Sequence, residues 1–164
     1  MAKTRAQLKT DNDEPAVGGA REISLGPLPD YLGYQVRQVQ SAIFGDFTTI
    51  TAETGVTPGE FSLLMLVEHN PGINQGALAR MYNIDKSTLS IAVASLVKRG
   101  LVEKTPNEED RRYHAVSLTP EGRDVLARTT RRVEDQERAM DAALKPGERQ
   151  ALLDMLKRLA RAFR

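Results

Sequence analysis

The sequence predicts a mainly helical protein with one small β-hairpin, and three observations carry that expectation. Apolar residues recur at steps of three and four over most of the chain. Pro and Gly punctuate those stretches where helices start and stop. Only one region, near residues 101–119, alternates as a strand pair would.

Residues 1–24 are read as a flexible tail, polar and Gly/Ala-rich, without the apolar core of a secretory signal. From Asp30 to about Thr54, the residues Leu32, Val36, Val39, Ile43, Phe47 and Ile50 form one stripe. Gln35, Arg37, Gln38, Gln40 and Asp46 occupy the other side, so a long amphipathic helix is expected, closed by Gly55. Residues 25–56 are assigned to dimerisation. Thr57-Pro58-Gly59-Glu60 has a cap, a proline at the first helical position and an acid that completes a capping box. The helix it opens carries Phe61, Leu64 and Val67 on one face and stops at His69-Asn70-Pro71-Gly72.

Two short helices follow. The first is expected from about Asn74 to Tyr82. Asp85 caps the second, from Lys86 to about Arg99, and Gly100 ends it. Leu89, Val93 and Leu96 face inward, and the tight connection makes the pair a helix-turn-helix. "LVEKTP" and "YHAVSLT" then read as two strands flanking the charged loop "NEEDRR", a winged arrangement over residues 57–119. Thr119-Pro120-Glu121 starts a helix to about Leu144, with a sparse seam at Val125, Thr129, Val133 and Met140. After Pro146 comes a last stripe of Leu152, Leu156, Leu159 and Phe163. The helices of residues 120–164 are also assigned to dimerisation, because these stripes and the first one exceed what a small winged domain covers. An intramolecular bundle is the competing account.

The chain has 164 residues and no cysteine, which excludes disulfide scaffolds, thiolate metal sites and cysteine nucleophiles. No apolar run is long enough for a transmembrane helix, and a cytoplasmic protein without membrane contact is expected. The two histidines, His69 and His114, have no nucleophile, metal spacing or phosphate loop beside them, so neither an enzyme nor a cofactor is expected. Net charge is only +1, but residues 74–104 hold Arg80, Lys86, Lys98, Arg99 and Lys104 against Asp85 and Glu103. That local excess suits nucleic acid.

The run "NQGALARMYNIDKSTLSIAVASLVKRGLVEKTPNEEDRRYHAVSLTPEGR" resembles the winged helix-turn-helix of the MarR family of bacterial transcription regulators. "DKST", "LVKRGLVEK", "DRR" and "SLTPEG" carry the likeness, in family order, and with the flanking helices it spans about residues 28–164. It implies a homodimer that binds double-stranded DNA at a palindromic operator, commonly as a repressor, until a ligand changes its affinity.

A recognition helix presents its first turns to base edges in the major groove. Here that places Lys86, Ser87, Thr88, Ser90 and Ile91 at the DNA, with Lys86 suited to phosphate or guanine and Ile91 to a thymine methyl. Simple capping is the competing account of Ser87 and Thr88. Many family members carry arginine where Ile91 stands, and charges at Ala94 and Ser95, so this helix departs from the usual set of readers. In the wing, Asp110 can pair with Arg112 and aim it at the narrow, negative minor groove, while Arg111 takes a phosphate. Glu108 and Glu109 temper the tip.

The resemblance also implies an effector pocket between the dimer helices and the winged domain. Tyr31, Tyr34, Arg37, Phe44, Phe61 and Met65 are expected lining, which suits an aromatic acid or its CoA thioester. A winged-helix module that binds protein partners and not DNA is the alternative function.

Overall fold

The computed structural model describes residues 23–82, 84–106 and 114–163. It divides into two units, Met1–Val36 and Arg37–Arg164. The described part of the first unit holds a 3-10 turn, Leu28–Asp30, and the opening of helix α1, which runs Leu32–Ile50. The helix is shorter than the stripe implies. Its start moves from Asp30 to Leu32 because Tyr31 is extended, and residues 51–55 form a turn that ends at Gly55 with φ +60°.

In the second unit, α2 (Pro58–His69) has the expected capping box. Glu60 N–H donates to Thr57 Oγ1 at 3.2 Å and Thr57 N–H to Glu60 Oε2 at 3.0 Å. Gly72, at φ +76°, turns the chain into a two-residue strand β1 (Ile73–Asn74), which the sequence pattern does not reveal. The residue taken as the start of the next helix is therefore a strand residue. Asn74 serves both elements, since its Oδ1 accepts from Ala77 N–H at 2.7 Å. Helix α3 spans Gln75–Tyr82 and α4 spans Lys86–Lys98.

The wing is a three-stranded antiparallel sheet and not a lone hairpin. Its order is β1-β3-β2, with β2 at Val102–Pro106 and β3 at His114–Leu118. Val116 of β3 is paired with Ile73 on one side and Lys104 on the other, and is fully buried. The core collects Leu64 and Val67 of α2, Leu78 of α3, Leu89, Val93 and Leu96 of α4, Val116 and Leu118, and Val125 and Leu126 of α5. Each inward residue foreseen on α4 is there because steps of four and three keep one face of a helix toward the core.

Helix α5 (Pro120–Ala142) is capped by Thr119, whose Oγ1 accepts from Gly122 N–H at 2.9 Å. The same hydroxyl lies 2.6 Å from Gly100 O, and Thr119 N–H donates to Leu101 O at 3.1 Å. Of the foreseen seam, Val125 and Thr129 are buried, while Val133 and Met140 are half-buried. Helix α6 (Glu148–Ala162) follows a tight turn at Gly147, φ +87°. Arg149 holds it to α5, with Nε 2.7 Å from Asp141 Oδ1 and a terminal nitrogen 2.9 Å from Glu137 Oε2. No residue of α6 is buried.

The contact at Gly122 gives a stability test. A Cβ there would stand 1.9 Å from the Leu101 carbonyl oxygen, whereas one at Gly59 would meet nothing within 4 Å. Gly122→Ala should lower stability in urea denaturation by about 1–3 kcal/mol or more, as overpacking does. Gly59→Ala should cost nothing, and equal losses in the two variants would refute the close approach.

Candidate nucleic-acid interface

Asp85 is the organising residue of the outward face. It is extended, at φ −68° and ψ 154°, and its side chain closes over the first turn of α4. Thr88 N–H donates to Asp85 Oδ1 at 2.8 Å and the Thr88 hydroxyl to Oδ2 at 2.6 Å, while the Ser87 hydroxyl donates to Oδ1. These hydrogen bonds to the charged form, Ser87 first and then Thr88, hold the Asp85 carboxyl far below the usual carboxylate range. The hydroxyls of Ser87 and Thr88 thus act in the cap, the local role that the sequence left open beside DNA contact.

Lys86, Ser90 and Ile91 are exposed with no partner of their own among the described residues. Ile91 is 73% exposed, between inward Leu89 and Val93. Ala94 and Ser95 continue the same open face. Asp110, Arg111 and Arg112, the expected wing tip, lie outside the described residues, as do Glu108 and Glu109.

Arg99, counted in the sequence only among the local cations, fixes the far end of α4. One terminal nitrogen is 3.0 Å from Glu60 Oε1 and the other donates to Thr54 O at 3.0 Å. It therefore ties the C-cap of α4 to the start of α2 and to the turn after α1. The cue was its place immediately before Gly100, where a helix end exposes carbonyls and a cation is well placed.

The residues expected at an effector pocket separate into different settings. Tyr31 is exposed and Tyr34 half-buried in the first unit. In the second, Arg37 and Phe44 are exposed, while Phe61 and Met65 pack against the winged core. Phe61 lies 5.9 Å from Phe47, ring centre to ring centre, at a tilt of 56°. Two cavities of about 360 and 580 Å³ run between α1 and α5 and share Ile50, Glu53, Arg132 and Asp135. Polar contacts hold that seam together. Gln136 Nε2 donates to Ile43 O at 3.1 Å and Asp46 Oδ2 at 2.7 Å, and Arg128 pairs with Glu53 at 3.0 Å.

The architecture is that of a winged helix-turn-helix with long terminal helices, and comparison with known proteins agrees. The MarR family model matches residues 54–112. The chain is 35% identical over 155 residues to a Thauera aromatica protein proposed as a transcriptional regulator for the hcr operon, covering 94% of this chain and 93% of that one. The chain belongs to the MarR family. Among solved structures, the transcriptional repressor CouR bound to a 23-mer DNA duplex matches with a TM-score of 0.80 and 35% identity, over 85% of this chain and 99% of CouR. CouR bound to p-coumaroyl-CoA matches at 0.78 with the same identity and coverage. The PcaV regulator of Streptomyces coelicolor, in complex with its natural ligand, matches at 0.78 with 26% identity, over 87% of this chain and 100% of PcaV. A MarR-family chain is a transcription regulator and not an enzyme. Among the described residues no group of three or more His, Cys, Asp or Glu could hold a metal, and no helix is long and apolar enough to cross a membrane.

The Asp85 cap has a defined pH dependence. A carboxyl depressed in the folded state contributes fully above its unfolded value, about pH 4, and loses that contribution as pH falls toward the depressed value. Asp85→Ala should therefore melt several degrees below wild type at pH 7, with the gap closing below about pH 3. Melting curves by circular dichroism at the two pH values check this, and a gap independent of pH would count against the ionised cap.

Proposed function

We propose that the protein is a homodimeric, effector-responsive DNA-binding regulator, acting as a repressor at a palindromic operator. The observation that carries this reading is the outward face of α4. Its inner residues are locked in the core, its N-terminus is capped, and Lys86, Ser90 and Ile91 are left open on consecutive turns. A helix end so presented fits the major groove, where its first residues meet base edges. With Ser87 and Thr88 engaged by Asp85, Lys86 is the principal cation, and Ser90 and Ile91 are the principal base readers. Ser87 and Thr88 keep oxygen lone pairs that can accept from phosphate-bound water. Asp110, Arg111 and Arg112 complete the contact from the wing, with Arg112 in the minor groove. The DNA-bound relative supports this docking.

Dimerisation follows from apolar surface without a partner. Leu152, Met155, Leu156 and Leu159 of α6 are 40–49% exposed, and Val39 and Phe44 of α1 are exposed as well. A C2 pairing buries such faces and sets two recognition helices about one DNA turn, roughly 34 Å, apart. The effector is an aromatic carboxylate or its CoA thioester. It favours a dimer whose helices no longer match that spacing, so operator affinity falls by population shift. The complex of CouR with p-coumaroyl-CoA supports that ligand class.

Fluorescence anisotropy on a palindromic promoter fragment tests DNA binding across a salt series. Affinity should fall steeply with salt, and Lys86→Ala should reduce the slope of log affinity against log salt by about 1. Ile91→Ala should change base preference at one operator position by about 1–3 kcal/mol. Binding that ignores salt would instead favour a protein-interaction module. For the dimer, Leu156→Glu with Leu159→Glu should convert a two-chain species to one chain in light scattering after size exclusion. A two-chain mass in that variant would place the interface elsewhere.

A further inference from the structure

The groove between the two helices of the helix-turn-helix carries an unpaired cation. Gly76, Ala79 and Arg80 of α3 line one side, and Ile84, Asp85 and Lys86 the other. Arg80 is exposed on the last turn of α3 and forms no ion pair or hydrogen bond among the described residues. Its guanidinium lies back along the helix, with a terminal nitrogen 3.7 Å from where a Cβ on Gly76 would stand. Residues four apart share a helix face, so the missing side chain at Gly76 leaves room on that flank of Arg80. Asp85 is the one acid among the lining residues, and both of its carboxylate oxygens are taken by Ser87 and Thr88. Two cations therefore face one carboxylate that is already engaged.

Position decides what such a cation meets. In a helix-turn-helix the second helix lies in the major groove, and the first crosses the sugar-phosphate backbone. Arg80 is on the first helix, across the groove from Lys86 on the second. The small residues Gly76 and Ala79 let a strand come close to its flank. A guanidinium binds phosphate in bidentate fashion, with fixed geometry as well as charge. An organic acid would need apolar and aromatic enclosure, and no aromatic residue lines this groove.

We propose that Arg80 clamps a phosphate of the DNA backbone at the flank of α3, so that the duplex is held there as well as at α4 and the wing. The inference rests on the reading of the protein as a DNA-binding regulator, and adds a residue to its interface. A contact of this kind sets how α4 sits in the groove and carries no sequence information itself.

Fluorescence anisotropy with the full chain tests it, on the palindromic promoter fragment and on a scrambled duplex of the same length. Arg80→Ala should weaken binding to both by a similar factor, at least about fivefold, and lower the slope of log affinity against log salt by about 1. Its melting curve should match wild type, because Arg80 holds no partner within the described fold. Arg80→Lys should keep the slope and recover part of the affinity. Arg161→Ala, which removes a charge on α6, should bind as wild type does. A neutral methylphosphonate, placed at each phosphate of one half-site in turn, supplies the second arm. One position should weaken wild type and leave Arg80→Ala unaffected. Unchanged affinity and slope in Arg80→Ala, a loss confined to one duplex, or the same methylphosphonate profile in both proteins overturns the clamp and leaves the DNA reading intact. Wild type that binds neither duplex removes the DNA reading, and the clamp falls with it.

Discussion

The backbone of Leu101 is the point on which the winged unit depends. It follows Gly100, at φ +70°, so the chain reverses directly after α4. Its N–H donates to Leu96 O at 3.0 Å and its carbonyl accepts from Thr119 N–H at 3.1 Å. That carbonyl lies where a side chain on Gly122 would have to be. One residue thereby closes α4, begins the sheet and receives the first turn of α5. The buried Leu101 side chain joins Val102 and Leu118 in the core, which makes the junction apolar inside and hydrogen-bonded at its edge. A glycine is needed at residue 122 for space and not for backbone conformation, since its φ is not positive.

The seam between α1 and α5 is built on a different principle. Thr51, Thr129 and Gln136 are buried there, each bonded to backbone or to a polar neighbour. The Thr129 hydroxyl is 2.8 Å from Val125 O and 3.2 Å from Thr54 Oγ1. Paired polar contacts of this kind fix register while contributing little net stability. A seam held at spaced points also leaves volume between them, which is where the two cavities lie. The winged core, by contrast, is closed by Leu and Val side chains that are almost wholly buried. Rigidity and room are thus placed in separate parts of one unit.

Local chemistry made most of the winged region legible. Thr57, Asp85 and Thr119 were readable as caps because each precedes its helix and offers an oxygen to an unpaired N–H, and all three do so. Leu89, Val93 and Leu96 were readable from period alone. The strand Ile73–Asn74 was not, because two residues carry no alternation and its pairing to Val116 and Ala115 is set across the fold. Gln136 escaped, and Arg99 and Thr129 were placed without their partners, for a related reason. The partners are Ile43 and Asp46 for Gln136, Thr54 and Glu60 for Arg99, and Thr54 for Thr129, all distant in sequence, and nothing local announces those pairings. Composition cannot separate core packing from cavity lining in the aromatic set. Phe61 and Met65 went to the core.

The cap on α4 bears on how this regulator would discriminate DNA. A residue that spends its hydroxyl proton on Asp85 cannot offer the same proton to a base. The carboxylate that fixes the helix terminus therefore subtracts two donors from the reading surface. It also places a negative charge beside the groove-facing turn, opposed to phosphate. On the proposed docking, affinity would come from cations elsewhere, from Lys86 and the wing arginines. On the same proposal, discrimination would fall to Ser90, to the thymine contact available to Ile91 and to sequence-dependent groove shape. Ala94 and Ser95, small and without charge, would add little to either. Such a division would favour an operator recognised by groove shape and the geometry of paired half-sites over one recognised base by base.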